Sequence, residues 1–149
     1  MAASDPLRFV DGYLPYLLAR ASHLISGEFH RKVEAAGLAV TEWRVLATLS
    51  DRDACTVGAL ADITLTKQPT LTKLLDRMEA DGLVTRRRDG SPDRRHALVS
   101  ISAKGRDRVR PLLEQARAHE AEVLAAFGAS QGGQLKETLR RLIALHAGR

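Results

Sequence analysis

Residues 60–105 read LADITLTKQPTLTKLLDRMEADGLVTRRRDGSPDRRHALVSISAKG, and the patterns in this segment favour one fold over others. A short helix leads through a turn into a second helix, whose apolar residues recur at helical spacing. Pro69 fits only in the first turn of that second helix, where its missing N–H costs little. The pair Asp81-Gly82 is expected to end the helix, because glycine accepts the backbone conformation that closes a helix.

Two short strands are predicted after this second helix. Residues 84–88 and 96–102 have the composition of strands, and the second run alternates apolar and polar positions. Residues 89–93 lie between them and combine Gly, Pro, Ser and Asp, which indicates a tight turn. Two helices joined by a turn and followed by a two-stranded hairpin are typical of a winged helix-turn-helix, which places its second helix in the DNA major groove.

The second helix has two different faces. One face is an apolar stripe that is expected in the core, made of Leu71, Leu74, Leu75 and Met78. The residues expected to contact DNA occupy the other face and the N-terminal tip: Thr66, Lys67, Gln68, Thr70, Lys73 and Arg77. Their side chains can bond base edges or neutralise phosphates. Alone, such a face is more often a solvated helix face, so the tandem of helices and the hairpin that follows decide between the two interpretations.

The hairpin is strongly basic. From Arg86 to Arg95, five arginines stand against two aspartates, a local net charge of +3 in ten residues. A loop that enters the narrow minor groove needs such a charge, because that groove concentrates negative potential. Asp93 is expected to brace the turn by accepting backbone N–H bonds and pairing with an arginine. Arg94 or Arg95 then reaches DNA, and the arginines from Arg86 to Arg88 are expected to contact its backbone.

Helical spacing also predicts long helices on both sides of this lobe. The first spans residues 7–36, with Pro15 as a kink or break near its start and Gly37 beyond its end. Residues 128–133 are rich in glycine and predict a break between the last two helices. Hydroxyl residues suited to N-caps precede the second to the sixth helix: Thr41, Thr56, Thr66, Ser102 and Ser130.

The helices at the two ends are apolar on more than one side, more than a monomer of 149 residues would cover. We therefore expect a homodimer whose interface is formed by residues 7–36 and 103–149, around a winged helix-turn-helix lobe at residues 41–102. Two-fold symmetry also suits a reader of palindromic DNA. The predicted fold class is mostly α (α+β), a single subunit of six helices with a two-stranded wing.

The composition is compatible with this interpretation. Of the 149 residues 44% are hydrophobic but only 4% aromatic, a bias that suits helices, and the formal net charge is +5. A basic balance favours a polyanionic partner, although many proteins are mildly basic. With one cysteine, no leader resembling a secretory signal and no apolar run of bilayer length, a cytoplasmic protein with no membrane segment is expected.

The segment from Leu74 to Gly105 resembles the signature of the MarR family of bacterial transcriptional regulators. The matching pieces are Leu74–Arg77, Asp81–Val84, Arg86–Arg88, Asp93–Arg95 and Ser102–Gly105. The helix pattern on both sides fits as well, so the resemblance covers roughly the whole chain. It implies a homodimer that binds an inverted repeat in double-stranded DNA near a promoter, usually as a repressor, and that a small molecule or an oxidant releases.

The resemblance further implies a cleft for an effector, a small aromatic or phenolic carboxylate or its thioester, between the dimer helices and the DNA-binding lobe. The lining is expected to come from the first, second and fifth helices, and the candidate residues are Tyr16, Arg20, His23, His30, Trp43 and Arg44. An arginine could hold the carboxylate and an aromatic ring could stack on the ligand. Trp43, at the start of an amphipathic helix, is more often a core residue, and Arg20 and Arg44 are also explained as surface or salt-bridged residues.

Two alternatives stay open at this point. Cys55 precedes a helix N-terminus that could activate its thiol in a redox-responsive regulator, although a lone cysteine is more often a small packed residue. A non-enzymatic protein-interaction module would explain the amphipathic helices but not the basic wing. The chain has no phosphate loop, nucleophile motif or metal-ligand spacing, so no enzymatic activity, cofactor or metal is expected.

Overall fold

The computed structural model describes residues 8–88 and 90–148; Leu7, at the predicted start of the first helix, and Asp89, in the predicted wing turn, lie outside the described residues. In the described part the chain forms six α-helices: α1 (Leu14–Ala35), α2 (Val40–Leu49), α3 (Val57–Ile63), α4 (Gln68–Ala80), α5 (Ala103–Ala125) and α6 (Gly128–His146). Three strands complete it: β1 (Cys55–Thr56), β2 (Val84–Arg87) and β3 (Leu98–Ile101). The mostly helical fold with a small sheet is therefore confirmed.

The first predicted helix is divided at its start. Residues Phe9–Gly12 form a 3₁₀ turn, and α1 begins at Leu14 with Pro15 in its first turn, so the proline marks a break. At the other end Gly37 has a φ of +84°. Its N–H donates to Glu34 O at 2.9 Å, and the N–H of Leu38 donates to Val33 O at 3.2 Å. The predicted role of Gly37 at this helix end is confirmed.

The predicted N-caps of α2 and α6 are wrong. Helix α2 begins one residue before Thr41, because Glu42 Oε1 accepts the N–H of Ala39 at 2.9 Å and makes Ala39 the cap position. Helix α6 begins at Gly128, so the glycine-rich segment that predicted a break is helical and Ser130 lies inside the helix. Ser102, by contrast, is confirmed as the cap of α5: its Oγ accepts the N–H of Gly105 at 2.9 Å.

The sheet has one strand more than the predicted two-stranded wing. Its order is β1-β3-β2, and both pairings are antiparallel. Cys55 pairs with Val99 and Val84 pairs with Ile101. Because β1 is only two residues long, it has no periodicity that a sequence pattern could detect. Its pairing joins the wing to the start of α3.

The chain divides into two compact units, Met1–Leu113 and Glu114–Arg149. The first unit holds the apolar core, to which helices α1 to α5 and the sheet contribute. Its largest fully buried side chains are Leu46, Leu49, Leu60, Leu71, Leu75, Met78, Val33, Val45, Val84, Val99 and Val109. The predicted apolar stripe of α4 is buried as expected. Burial of one face of α4 leaves its opposite face at the surface.

The first turns of α5 bind the C-terminal ends of three other helices. Three basic side chains of α5 each donate to a backbone carbonyl that has no partner within its own helix. The pairs are Lys104 Nζ with Asp81 O at 2.7 Å, Arg106 Nη1 with Ser50 O at 2.8 Å and Arg108 Nη2 with Ala36 O at 2.8 Å. These cations lie at the negative ends of α4, α2 and α1, so they stabilise all three helix dipoles.

The second unit consists of the last turns of α5 together with α6. Lys136 Nζ donates to Glu120 Oε1 at 2.5 Å and joins the two helices. Gly132 is buried, and a Cβ at that position would lie 3.5 Å from the side chain of Leu124. The small residue therefore permits close packing of α6 on α5 within this unit.

Candidate nucleic-acid interface

The turn between α3 and α4 is held by a set of short-range hydrogen bonds. Thr56 Oγ1 accepts the N–H of Ala59 at 3.1 Å, which confirms the predicted cap of α3. Thr64 is buried, and its hydroxyl donates to Leu60 O at 2.7 Å. The N–H of Thr66 donates to Ala61 O at 3.0 Å. The start of α4 therefore has a defined position relative to α3.

The sequence predicts Thr66 as the N-cap of α4, and this prediction is wrong. The Thr66 hydroxyl donates to Thr64 O at 3.1 Å, inside the turn. Helix α4 begins at Gln68, and Lys67 occupies the cap position without a side-chain bond to the helix. The N–H groups at this end are therefore available to an external acceptor such as a phosphate oxygen.

The predicted contact face of α4 is accessible. Lys67, Thr70, Lys73 and Arg77 are exposed, and Thr66 and Gln68 are half-buried. Lys67 and Gln68 lie at the positive end of the α4 dipole, where a negative group is favoured. The geometry is compatible with the predicted role of all six residues, and their contacts with DNA stay a prediction.

The wing (residues 84–101) contains the brace expected of Asp93. Its Oδ1 accepts the backbone N–H of Arg95 at 3.0 Å, and its Oδ2 lies 3.0 Å from Arg95 Nη2 and 3.2 Å from Nε. The bonds from the Arg95 side chain and backbone lower the pKa of Asp93, and Asp93 in turn raises the pKa of Arg95. The ion pair joins the residue that caps the 3₁₀ turn Arg94–His96 to the middle residue of that turn.

Arg86 is engaged within the protein. Its Nη2 lies 2.6 Å from Asp76 Oδ1 and 3.1 Å from Glu79 Oε1, and its backbone N–H donates to Glu79 Oε2 at 2.9 Å. Partial burial alone would lower the pKa of Arg86, but the bonds to the two carboxylates raise it overall. This guanidinium fastens β2 to α4. The sequence pattern had predicted a contact between Arg86 and the DNA backbone, which the structure leaves untested.

A groove of about 410 Å³, here called the turn groove, brings the start of α4 and the wing together. Its lining consists of Thr56, Gly58, Ala61, Asp62, Thr66, Lys67, Gln68, Arg95 and His96. Four predicted contact residues thus share one concave surface, although Thr66 and Arg95 lie 29 positions apart in the sequence. Gly58 and His96 were not predicted. Gly58 lies close to the wing, since a Cβ there would be 3.5 Å from Arg95 Cβ.

Arg88 and Arg94 belong to a second groove, of about 300 Å³, on a different surface of the wing. Both are exposed, and Arg86 lines the same groove with its partners Asp76 and Glu79. The predicted wing cations therefore fall into two groups. Arg95 shares a groove with the start of α4, whereas Arg88 and Arg94 do not.

The six candidate effector residues fall into two sets: Tyr16, Arg20 and His23 in the first half of α1, and His30, Trp43 and Arg44 at its second half and on α2. Tyr16 and His30 are 14 residues apart on α1, about 21 Å by helical rise, too far to hold one small molecule together. Trp43 packs on Phe29, with ring centroids 5.1 Å apart, as its interpretation as a core residue suggests. Burial and the charge of Arg44 lower the pKa of His30. Arg44 therefore lies close enough to His30 to affect its charge, and Trp43 packs on Phe29, the sequence neighbour of His30.

The structure also bears on the alternatives. Cys55 is buried, 7% exposed, in β1, which favours its interpretation as a packed residue. Within residues 8–88 and 90–148, no three His, Cys, Asp or Glu side chains gather in a way that could hold a metal ion. No helix of that same part of the chain is long and apolar enough to cross a membrane.

Comparisons with known proteins agree with this geometry. A family model described as MarR family matches residues 36–95. The crystal structure of a MarR family transcriptional regulator from Silicibacter pomeroyi DSS-3 is 40% identical, with a TM-score of 0.82 over 93% of this chain and 98% of that chain.

Two curated relatives are also similar. The transcriptional activatory protein BadR of Rhodopseudomonas palustris is 33% identical over 129 residues, 84% of this chain and 73% of BadR. The homoprotocatechuate degradative operon repressor of Escherichia coli is 29% identical over 135 residues, 89% of this chain and 88% of the repressor. The helix-turn-helix, the braced wing and these matches lead to one conclusion: the chain belongs to the MarR family of transcriptional regulators.

Proposed function

We propose that this chain binds an inverted-repeat operator as a homodimer and represses transcription until a small aromatic or phenolic carboxylate, or its thioester, is bound. The observation that carries the proposal is the turn groove, in which Lys67, Gln68 and Arg95 share one concave surface. The open N-terminus of α4 favours a phosphate there. The exposed Thr70 and Lys73 follow on the same helix and can reach base edges in the major groove.

Exposed apolar side chains support the homodimer. In α1 they are Leu14, Leu17, Leu18, Leu24 and Ile25, and in α6 they are Leu135, Ile143 and Leu145. Apolar patches of this kind are typical of interfaces between protein chains. Both helices belong to the terminal segments for which the sequence predicts dimerisation. In a two-fold dimer, two copies of α4 would face two half-sites of an inverted repeat.

The cluster of His30, Trp43 and Arg44 supports an acidic aromatic effector. Arg44 supplies a cation for a carboxylate, and Trp43 supplies a ring for stacking. The E. coli relative is named for repressing an operon that degrades homoprotocatechuate, which is itself a phenolic carboxylate. In the homodimer, Tyr16 and Arg20 of the partner subunit's α1 are further candidates, since one subunit cannot bring them to His30.

The proposed regulation is a shift between two spacings of the reader helices. In the DNA-bound dimer the two copies of α4 lie about 34 Å apart, one helical turn of DNA. An effector that favours another spacing weakens DNA binding, and by linkage DNA weakens effector binding by the same factor.

The test is fluorescence anisotropy with labelled DNA from the region upstream of the chain's own gene, with scrambled DNA as control. We expect specific binding whose logarithmic affinity falls steeply with the logarithm of salt concentration. Arg95→Ala should lose most of this affinity but keep the wild-type mass in size-exclusion chromatography. A panel of phenolic carboxylates and their thioesters then identifies any compound that releases the DNA.

Each part of the proposal has its own contradicting result. Equal affinity for specific and scrambled DNA argues against an operator reader, and a flat salt dependence favours a protein-interaction module. A monomer at micromolar concentration argues against the dimer. Equal effector affinity for free and DNA-bound protein argues against the shift in spacing.

A further inference from the structure

The turn between α3 and α4 contains a residue that its own surroundings do not explain. Leu65 has a φ of +56°, in the left-handed region, and its side chain is 87% exposed. A non-glycine residue with positive φ is uncommon, and a glycine would adopt this conformation without strain. A leucine here therefore gains neither burial nor a preferred backbone conformation.

The surrounding turn keeps the backbone of Leu65 in place. The N–H of Leu65 donates to Asp62 O at 3.3 Å, and the N–H of Thr66 donates to Ala61 O at 3.0 Å. The buried hydroxyl of Thr64 bonds Leu60 O immediately before it. Leu65 is thus presented to solvent by a defined turn. Strained residues of this kind cluster at binding sites, where other contacts maintain them.

Leu65 lies two residues before Lys67 and three before the first residue of α4. In a helix-turn-helix, the N-terminal residues of the second helix contact base edges in the major groove. The thymine 5-methyl group is the apolar feature of that groove. We propose that Leu65 is a specificity-determining residue that contacts a thymine methyl group of the operator. The inference rests on the proposed function, because it assigns a base to the same interface.

The expected size of the effect follows from the burial of one methyl group. Replacing the contacted thymine by uracil removes that methyl group and should lower affinity about fourfold in each half-site. Substitution in both half-sites of a symmetric operator should then lower affinity about fifteenfold. Uracil pairs with adenine as thymine does, so the operator otherwise keeps its hydrogen-bonding pattern.

The test measures binding of wild type, Leu65→Gly and Leu65→Met to the operator, with each thymine replaced in turn by uracil. Leu65→Gly should fold, since glycine accepts a positive φ, and its melting temperature should equal or exceed that of wild type. We expect it to bind the thymine operator more weakly than wild type and to be insensitive to uracil at one position. Leu65→Met keeps an apolar side chain and should retain the sensitivity to uracil.

The outcomes separate the inference from the proposed function. If wild type binds no operator specifically, the proposed function fails. If wild type binds but no uracil substitution distinguishes it from Leu65→Gly, the methyl contact is refuted while the proposed function stands. Normal DNA binding by Leu65→Gly with loss of repression in cells would likewise overturn the inference, in favour of a protein partner at Leu65.

Discussion

Arg86 in β2 and Asp76 in α4 form an ion pair in which Nη2 and Oδ1 are 2.6 Å apart. Glu79, one turn further along α4, accepts from both the side chain and the backbone of Arg86. One arginine therefore fastens the first strand of the wing to the helix that is proposed to read DNA. The orientation of the wing and that of the reader helix are coupled through this residue.

Replacing Arg86 by Met should lower the free energy of unfolding by about 1 kcal/mol, measured by urea denaturation. We expect no more, because Asp76 and Glu79 are 63% and 42% exposed and water screens their charges. Arg87→Met is the matched control, since Arg87 is exposed in the same strand, and it should change stability by less than about 0.5 kcal/mol. Equal losses of stability in the two variants would contradict the role of Arg86 in fastening β2 to α4.

DNA binding by Arg86→Met and Arg88→Met distinguishes a structural role of Arg86 from the predicted contact with the DNA backbone. If Arg86 only positions the wing, Arg86→Met should keep the wild-type slope of log affinity for DNA against log salt concentration. Loss of a phosphate contact would instead reduce the magnitude of that slope by about 0.9. Arg88→Met should show that lower slope. A reduced slope in Arg86→Met would restore the direct contact that the sequence pattern predicts.

Local rules explain what the sequence could predict. Ser102 caps α5 and Gly37 ends α1 because a hydroxyl or a glycine acts within three or four residues of its own position. Thr66 satisfied the same rule but failed, because its hydroxyl bonds Thr64 O and the helix starts two residues later. A turn carbonyl thus takes the hydroxyl that the helix would need, and residue spacing alone does not reveal that alternative partner.

The features that were not predicted depend on contacts between distant residues. The sequence analysis assigns no role to Asp76 or Glu79, although both bind Arg86 from the next strand. Strand β1 exists only because Cys55 and Thr56 pair with β3, more than 40 residues later. The turn groove likewise requires the fold that carries Arg95 to the start of α4.

The Asp93–Arg95 pair predicts a measurable titration. The pKa of Asp93 is lowered in the folded protein. The pair therefore stabilises the folded wing at any pH above 3.8, the ordinary pKa of the carboxyl group. This stabilisation disappears as the pH falls through the folded pKa. We expect the Asp93 carboxyl carbon to titrate below 3.8 in NMR, and to move back toward that value in Arg95→Ala. An unchanged Asp93 titration in Arg95→Ala would contradict the brace.

Gly105 predicts a severe steric effect. A Cβ at this position would collide with the carbonyl oxygen of Leu83 and lie 2.8 Å from Ile101 Cγ1. Gly105→Ala should therefore lower the free energy of unfolding by about 3 kcal/mol, measured by urea denaturation. Gly133→Ala is the control: it is an exposed helical position with no atom within 4 Å, and alanine there should stabilise by about 1 kcal/mol. A tolerated Gly105→Ala would refute the close approach of α5 to the wing.

His30 predicts how stability and effector binding depend on pH. Burial and the charge of Arg44 lower its pKa in the folded state, so the unfolded chain takes up the proton at higher pH. The free energy of unfolding should therefore fall as the pH drops through 6.5, the ordinary value, and level off below the folded pKa. His30→Gln should remove this part of the pH dependence. Arg44→Ala should move the midpoint of the His30 titration, followed by NMR, back toward pH 6.5.

A carboxylate bound at Arg44 should move the midpoint of the His30 titration in the same direction, because it neutralises the charge that disfavours protonation. An effector that releases DNA but leaves the His30 titration unchanged would place its carboxylate elsewhere.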